Sequence, residues 1–390
     1  MRTWDEDQLA LREGMQRWCR DLAATAADTS ADTSADEGDN AAGAGFAWDA
    51  WKLVRSSGVL GLPFDPARGG AGLDLLTTMF VLEALGEGCR DGGLSFCVAT
   101  TMCSTGVPLQ HFGTDAQKDR YLPGVCSGEL IGAHAISEPD TGSDALSMRT
   151  TAVRDGDHYV LNGSKSFVTN GPVADVVVVY ARTRPEGGPL GITAFLVDTD
   201  TPGFSTGRPL KKMGLASSPM SELYFDDCRV PAERAIGGIG RGYLLLEHVM
   251  KWEILCSFII NVGEMQHRFE RCLEYARTRT QFGRPIGSFQ AIAHKLVDMR
   301  IRLETARRWL YDTAERLAAG QDVTMDVATA KLLTSEANVA SGLAAIQVFG
   351  GNGYMSEYGL DRELANAVGS TLYSGTTEIQ YNRISSLLGL

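Results

Sequence analysis

A chain of 390 residues is too long for one small hydrophobic core, so two or three domains are expected. Its apolar content of 44% and its charged content of 22% are those of an ordinary globular protein. The formal net charge of −12 argues against a nucleic acid partner, because phosphate backbones are bound by basic surfaces.

The eight cysteines are scattered and contain no C-x-x-C pair, which indicates reduced thiols rather than a disulfide framework or a metal site. The N-terminus lacks the basic and apolar segments of a secretory signal. The longest apolar runs are far shorter than a membrane span. These features predict a soluble, cytoplasmic protein without a membrane span.

The pattern of the sequence divides the chain into three parts. Residues 1–130 have helical spacing, except for residues 23–45, where a run rich in Ala, Asp, Thr, Ser and Gly predicts a mobile loop. Residues 131–236 contain short β-branched runs between turn residues, which predicts a β domain. Helical spacing returns in residues 237–390. The predicted fold class is α+β, mostly α.

Two strand-like stretches lie within residues 134–171. The first enters a turn rich in Pro, Gly and hydroxyl residues, and the second alternates around Asn162-Gly163, a β-hairpin signal. Their ends carry hydroxyl side chains beside an aromatic ring: Ser137, Ser143, Thr169 and Phe167. Such a surface suits a planar ligand with phosphates, although a purely structural hairpin would give the same pattern.

These stretches, ISEPDTGSD at residues 136–144 and NGSKSFVTNG at residues 162–171, resemble the flavin-binding signature of the acyl-CoA dehydrogenase family. The resemblance implies an antiparallel β-barrel-like middle domain and a C-terminal four-helix bundle. It also implies FAD as the cofactor and a place near the substrate for Ser143. The FAD contacts that it implies in this part of the chain are Ile136, Ser137, Phe167 and Thr169.

Two later motifs resemble the family's contacts with FAD across a subunit boundary: RTRTQFGRPIGSFQ at residues 277–290 and QVFGGNGY at residues 347–354. A helix end would explain the arginines of the first motif alone. The resemblance implies that the chain is a homo-oligomer, a dimer or a dimer of dimers (a homotetramer). The implied contacts are Arg279 with the pyrophosphate, Phe282 and Gln290 with the adenosine, and Gln347, Gly350 and Gly351 with the partner's FAD.

The segment LYSGTTEIQ at residues 372–380 resembles the family's C-terminal signature, in which a glutamate usually stands at the position of Ser374. In the family that glutamate removes the α-proton of the acyl thioester. Serine has no such basicity, so the substitution leaves the base to be found elsewhere. The resemblance still assigns the backbone N–H of Ser374 to the thioester carbonyl, and Thr376 and Glu378 to the flavin.

Glu253 is the candidate base, at the position used by isovaleryl- and long-chain-type members of the family. At helical spacing it shares a face with apolar residues that include Val249, Cys256 and Ile260, and no Lys or Arg stands three or four residues away. Burial of a lone carboxylate would raise its pKa toward a value useful for a general base. In the alternative, Glu253 faces solvent or a partner from another element. Ile254 stands where those members usually have arginine, which suggests an unusual substrate.

The resemblance therefore implies an FAD-dependent acyl-thioester dehydrogenase that introduces an α,β double bond. The acyl group could be carried by coenzyme A or by an acyl carrier protein, and an electron-transfer flavoprotein or oxygen could reoxidise the flavin. A flavin monooxygenase or oxidase on the same fold and a non-catalytic FAD-bound scaffold are the alternatives. His134 is expected to have a packing or hydrogen-bonding role rather than one in proton transfer.

Overall fold

The computed structural model describes residues 3–30 and 46–390, without the side chains of residues 24–30. Helix α1 spans Glu6–Ser30, so the prediction of a loop from residue 23 is wrong for residues 23–30. The alanines at positions 23, 24, 26 and 27 explain the difference, because alanine has the highest intrinsic helix propensity. The rest of the expected mobile loop, residues 31–45, lies outside the described residues.

Five further helices follow in the N-terminal part. Side-chain caps fix the start of three of them: Asp74 accepts from the backbone N–H of Thr77 at 2.7 Å, Asp91 accepts from that of Leu94 at 3.1 Å, and Thr114 forms a capping box with Gln117. The helix formed by Leu75–Gly88 is buried on nearly all sides, because it packs against both α1 and a long C-terminal helix. The five are α2 (Trp48–Ser57), α3 (Leu75–Gly88), α4 (Gly92–Ala99), α5 (Val107–Phe112) and α6 (Asp115–Ser127).

A π-helical segment, Thr100–Gly106, connects α4 to α5, and all 7 of its residues are buried. π-helical turns are rare and occur mostly as local insertions in helices, often at functional sites. This segment contacts the first strand of the sheet and the long C-terminal helix. It therefore lies between the three parts of the chain.

The middle of the chain forms an eight-stranded sheet in the order β6-β7-β3-β2-β4-β5-β8, with β1 paired to β4. Most neighbours are antiparallel, but β1 and β2 both run parallel to β4, so the sheet is mixed rather than wholly antiparallel. The strands are β1 (Gly132–Ala135), β2 (Thr151–Asp155), β3 (His158–Thr169), β4 (Val176–Arg182), β5 (Ile192–Asp198), β6 (Phe204–Thr206), β7 (Met220–Pro231) and β8 (Ala235–Ile236).

Strand β4 is buried on both faces, which explains its unbroken run of valines. Successive side chains point to opposite faces of a strand. Val178 and Tyr180 accordingly join the core shared with the helices, whereas Val177 and Val179 join a separate core within the sheet. The helix-facing side of β4 is thus the side that can reach the long C-terminal helix.

The C-terminal part is helical. Helices α7 (Gly242–Thr278), α8 (Gln290–Ala318) and α9 (Thr324–Phe349) pack on one another, and α10 (Leu360–Gly369) and α11 (Thr377–Leu387) pack on α9. A short ribbon of β9 (Thr280–Gln281) and β10 (Arg284–Pro285) connects α7 to α8. The order of helical, β and helical parts in a mostly helical protein confirms the predicted fold class. Within the described ranges, no helix has both the length and the apolar character that a membrane crossing requires.

A buried ion pair joins the two flavin-signature stretches. Lys165 is fully buried, and its Nζ donates to Glu138 Oε1 at 2.8 Å and to the backbone carbonyl of Ile136 at 3.0 Å. Burial lowers the pKa of Lys165 to about 8, against the opposing effect of Glu138. Burial also raises the pKa of Glu138, but the Lys165 ammonium and hydrogen bonds from Thr150 and Arg149 outweigh it and hold that pKa low. The pair is therefore ionised at neutral pH and fixes the strand ends.

We predict that Lys165→Met lowers the free energy of unfolding by about 3 kcal/mol, because it leaves the Glu138 carboxylate buried without its cation. Urea unfolding of the FAD-loaded protein measures this change. Asp140→Asn is the control: it removes an ion pair with Arg149 whose side chains are 68% and 78% exposed, and it should change stability by about 0.5 kcal/mol or less. Equal effects of the two substitutions would show that the buried pair has no special role.

Candidate active site

Glu253 lies on α7 and is held by hydroxyl groups from two other parts of the chain. Ser374 Oγ, in the loop between α10 and α11, donates to Glu253 Oε1 at 2.6 Å. Ser104 Oγ, in the π-helical segment, donates to Glu253 Oε2 at 3.1 Å. Among the described residues, no Lys or Arg forms an ion pair with this carboxylate, whose side chain is only 15% exposed.

The surroundings of Glu253 favour its protonated form more than water would. Burial raises the pKa of Glu253, and the hydrogen bonds from Ser374 and Ser104 lower it in part, so the net shift is upward. A carboxylate with a raised pKa is a stronger base than an exposed one when it is ionised. The site therefore holds a carboxylate that, when ionised, is a stronger proton acceptor than an exposed glutamate.

Ser374 adopts a backbone conformation that is uncommon for residues other than glycine. Its φ is 55°, in the left-handed region, and the side chain of Gln380 donates to its carbonyl at 3.0 Å. In the part of the chain that the structure describes, no acceptor is recorded for the Ser374 backbone N–H. The residue thus offers a free donor beside Glu253 as well as its hydroxyl.

Two aromatic side chains of the sheet border Glu253. His134 Nδ1 lies 3.9 Å from Glu253 Oε2, and the rings of His134 and Tyr180 are in edge-to-face contact with centroids 5.0 Å apart. Burial lowers the pKa of His134 to about 3, so its imidazole is neutral. This agrees with the expected packing role of His134 and shows no ion pair with Glu253.

The sequence motifs for FAD fall into two groups in the structure. Ile136 and Ser137 follow β1 directly and lie beside the end of β3, because the backbone N–H of Ser166 donates to the Ser137 carbonyl at 2.8 Å. Phe167, at a φ of 57°, is 66% exposed on β3 and has Thr169 two residues further along the strand. Ser143 is exposed in the turn between β1 and β2.

The second group lies at the far end of α7. Tyr275 stacks on Phe349 with ring centroids 4.0 Å apart, and the Asn352 side chain donates to the Tyr275 hydroxyl at 3.0 Å. These contacts bring the two motifs together. The candidate FAD residues of these motifs are all exposed: Arg279, Phe282, Gln290, Gln347, Gly350 and Gly351. Among the described residues, none of them has a recorded hydrogen bond to the first group. Thr376 and Glu378 lie at the start of α11, where Thr376 caps the helix.

Sequence reasoning missed Ser104 and Tyr180. The hydrogen bond from Ser104 to Glu253 spans 149 positions, and the segment around it matched no motif. Tyr180 ends a run of valines that predicts only a buried strand. The single signal for Ser104 is the cluster of hydroxyl residues in an otherwise apolar stretch, at positions 100, 101, 104 and 105.

The chain was then compared with known proteins. Sequence models of the acyl-CoA dehydrogenase N-terminal, middle and C-terminal domains match residues 5–129, 133–228 and 240–388. The chain belongs to the acyl-CoA dehydrogenase family. It is an FAD-dependent acyl-thioester dehydrogenase, an oxidoreductase that acts on CH–CH bonds.

Two of the similar proteins are named for prolyl substrates on carrier proteins, and a third is an FAD complex. An L-prolyl-[peptidyl-carrier protein] dehydrogenase of Serratia sp. (strain ATCC 39006) is 42% identical over 342 residues, covering 88% of this chain and 89% of that protein. A crystal structure of the prolyl acyl carrier protein oxidase AnaB is similar at a TM-score of 0.92 and 39% identity, with 100% of both chains covered. An FAD complex of PigA is similar at a TM-score of 0.93 and 38% identity, covering 100% of this chain and 99% of that one.

The residues of this dehydrogenase fit FAD on structural grounds. Phe167 presents an exposed ring at the strand ends, and the nearby hydroxyls of Ser166 and Thr141 are buried without a hydrogen-bond partner in the described structure. Gly350 and Gly351 have open space where side chains would project, which allows a ligand to approach the backbone closely. FAD, when bound, supplies the hydride acceptor of the reaction.

We predict that Glu253→Gln stabilises the folded protein at neutral pH. Because burial raises the pKa of Glu253 in the folded state, its favourable contribution is complete at low pH and is lost as the pH rises through that raised value. Glutamine is neutral at every pH, so the variant keeps this contribution to stability as the pH rises. Urea unfolding at several pH values measures the difference. As the pH rises, the free energy of unfolding of the variant should exceed that of the wild type by about 1.4 kcal/mol per unit of pKa shift. A difference that is independent of pH would contradict the raised pKa.

Proposed function

We propose that Glu253 is the base of this dehydrogenase and that its substrate is a small α-aminoacyl thioester, specifically a prolyl thioester on a peptidyl carrier protein. The observation that carries the first part is the buried Glu253 carboxylate, which accepts hydrogen bonds from Ser374 and Ser104 and has no recorded cationic partner in the described structure. The substrate is supported by the names of the Serratia relative and of AnaB. Ile254, in place of the arginine usual in relatives with a base at this position, also fits an unusual substrate.

The proposed reaction removes two hydrogens from adjacent carbons. Glu253 takes the α-proton of the thioester, and bound FAD would supply the acceptor for the hydride lost from the β-carbon, so that a carbon–carbon double bond forms. The Ser374 backbone N–H donates to the thioester carbonyl, which lowers the cost of charge that develops on its oxygen. The Ser104 hydroxyl holds the second oxygen of Glu253 and keeps the carboxylate in place. The product retains the thioester bond.

The wider organisation of the enzyme is also proposed. Exposed FAD residues at the α7–α8 ribbon, such as Arg279 and the 93% exposed Phe282, are placed to reach a second chain, which supports a dimer or a tetramer. We assign domains to residues 1–130, 131–236 and 237–390, a division supported by the positions of β1 to β8. All eight cysteines are free and buried, which supports a cytoplasmic location. The proposed electron acceptor is an electron-transfer flavoprotein or oxygen.

We predict that a prolyl carrier-protein thioester bleaches the bound flavin of the wild type anaerobically. Glu253→Gln should slow this bleaching by at least about 100-fold, because an amide cannot accept the α-proton. Glu264→Gln is the matched control: it changes another largely buried glutamate of α7, one that accepts a hydrogen bond from Asn261, and should retain activity. Stopped-flow absorbance of purified FAD-loaded proteins measures the rates.

Other outcomes of this experiment separate the alternatives. Equal bleaching in wild type and Glu253→Gln would remove Glu253 from the mechanism. Bleaching by acyl-CoA thioesters and not by carrier-bound prolyl thioester would reject the substrate while leaving the dehydrogenase in place. Rapid reoxidation by oxygen with formation of a hydroxylated product would favour a monooxygenase. An absence of bleaching with every thioester would favour a non-catalytic role.

We predict that Ser374→Ala shifts the pH dependence of bleaching to higher pH. The Ser374 hydroxyl stabilises the ionised form of Glu253, so its removal raises the pKa of Glu253 further. The reaction requires the ionised form, and its rate at low pH should therefore fall more than its rate at high pH. Ser104→Ala should act in the same direction. An unchanged pH profile in both variants would show that the hydroxyls do not tune Glu253.

A further inference from the structure

The loop between α10 and α11 carries Ser374 to Glu253 in an unusual backbone conformation. Ser374 and Gly375 are both in the left-handed region, with φ of 55° and 85°. Glycine adopts this conformation freely, whereas a serine does so only at a conformational cost. Such positions persist where the surrounding structure holds them in place, and they are common at functional sites. Other contacts of the loop must therefore hold Ser374 in this conformation.

Gln380, near the start of α11, supplies such a contact. Its buried side chain donates from Nε2 to the carbonyl of Ser374 at 3.0 Å and to the carbonyl of Gly375 at 3.3 Å. Both acceptors are carbonyl oxygens, so the NH₂ end of the amide is the end that faces the loop. A Cβ at position 375 would lie 2.7 Å from this nitrogen. The glycine at that position is therefore what allows the amide to approach both carbonyls.

The beginning of the loop is fixed separately, by α9. The buried Lys331 donates from Nζ to the carbonyl of Thr371 at 3.0 Å. That contact lies three residues before Ser374 and does not involve it. In the described part of the chain, the side chains recorded as bonding Ser374 are those of Glu253 and Gln380. One of them is the candidate base, so Gln380 is the residue that fixes the orientation of Ser374 independently of the base.

We propose that Gln380 is a positioning residue of this dehydrogenase, which holds Ser374 in the left-handed conformation so that its hydroxyl reaches Glu253 and its backbone N–H stays free for the thioester carbonyl. This inference rests on the proposed roles of Glu253 and Ser374, and it extends them to a residue that acts only through Ser374. Without the amide of Gln380, the backbone of Ser374 relaxes toward a less costly conformation. The hydroxyl and the N–H then move together, and both functions of Ser374 weaken.

The titration of Glu253 reports where the Ser374 hydroxyl lies. The hydrogen bond from Ser374 lowers the pKa of Glu253, so loss of that bond raises it. The other titratable groups close to this carboxylate are those of His134, Tyr180, Tyr373, Cys103 and Cys256. Burial lowers the pKa of the imidazole and raises the pKa of both phenols and of the Cys103 thiol, so these four groups are uncharged at neutral pH.

The test begins with Gln380→Met, which removes the amide and keeps the length of the side chain. It should slow anaerobic flavin bleaching by the prolyl carrier-protein thioester by about 10-fold or more at neutral pH, and shift the pH dependence of bleaching upward. Gln117→Met is the matched control. Gln117 is also buried and also donates from Nε2 to two backbone carbonyls, those of Glu233 and Ala235, in another part of the fold. It should lower stability to urea and leave the pH dependence unchanged.

A double-mutant comparison shows whether Gln380 acts through Ser374. Gln380→Met should shift the pH dependence of the wild type but not that of Ser374→Ala, which already lacks the hydroxyl. Infrared titration of the Glu253 carboxyl in the FAD-loaded proteins without substrate makes the same comparison without turnover. Gln380→Asn, whose amide is one bond, about 1.5 Å, short of the carbonyls, should reproduce the effect and replaces Gln380→Met if that variant does not fold.

The outcomes separate this inference from the proposed function. An upward shift of the Glu253 titration in either Gln380 variant, absent in Gln117→Met and absent on top of Ser374→Ala, supports the inference. A loss of stability with an unchanged titration and an unchanged rate would show a purely structural role and overturn it. An equal shift in the Ser374→Ala background would overturn it as well, because Gln380 would then act on Glu253 by another route. If the wild type bleaches with no thioester, the proposed function fails, while the infrared titration still decides whether Gln380 positions Ser374.

Discussion

The carboxylate of Glu253 depends on hydroxyl groups from regions that are far apart in the sequence. Ser104 comes from the π-helical segment and Ser374 from the loop before α11, and they are 149 and 121 positions away from Glu253. Helix α7 brings them together because it packs against the π-helical segment and against α9, on which α11 lies. The chemistry of the site is therefore a consequence of helix packing, and a shift of any of these elements would change the pKa of the base.

The sheet contributes to the same site through a different constraint. The buried pair of Lys165 and Glu138 fixes the ends of β1 and β3, where the residues assigned to FAD lie. The paired strands β1 and β4 carry His134 and Tyr180, whose rings are in contact, and His134 Nδ1 lies 3.9 Å from Glu253. Burial keeps His134 neutral. The carboxylate of Glu253 is therefore bordered on this side by neutral side chains, those of His134 and Tyr180.

The sequence was sufficient for the fold and for the flavin motifs, because these depend on local patterns. The alternation of apolar and polar residues in 158–169 and the helical spacing after residue 237 can be read from the local sequence alone. The apolar face around Glu253 indicated a buried carboxylate for the same reason. The parallel pairing of β1 with β4 and the hydrogen bond from Ser104 were not predictable, since both join distant residues. Helix α1 extended to Ser30 because alanine propensity outweighed a composition that was assigned to a loop.

The proposed chemistry depends most on the protonation of Glu253, which infrared difference spectroscopy measures directly. The stretching band of a protonated carboxyl that is present in wild type and absent in Glu253→Gln reports this group alone. We expect the band to persist above the ordinary pKa of glutamate, 4.5, and to disappear in a single titration step at higher pH. Loss of the band at or below the ordinary value would show that Glu253 is solvated and would contradict its assignment as a buried base.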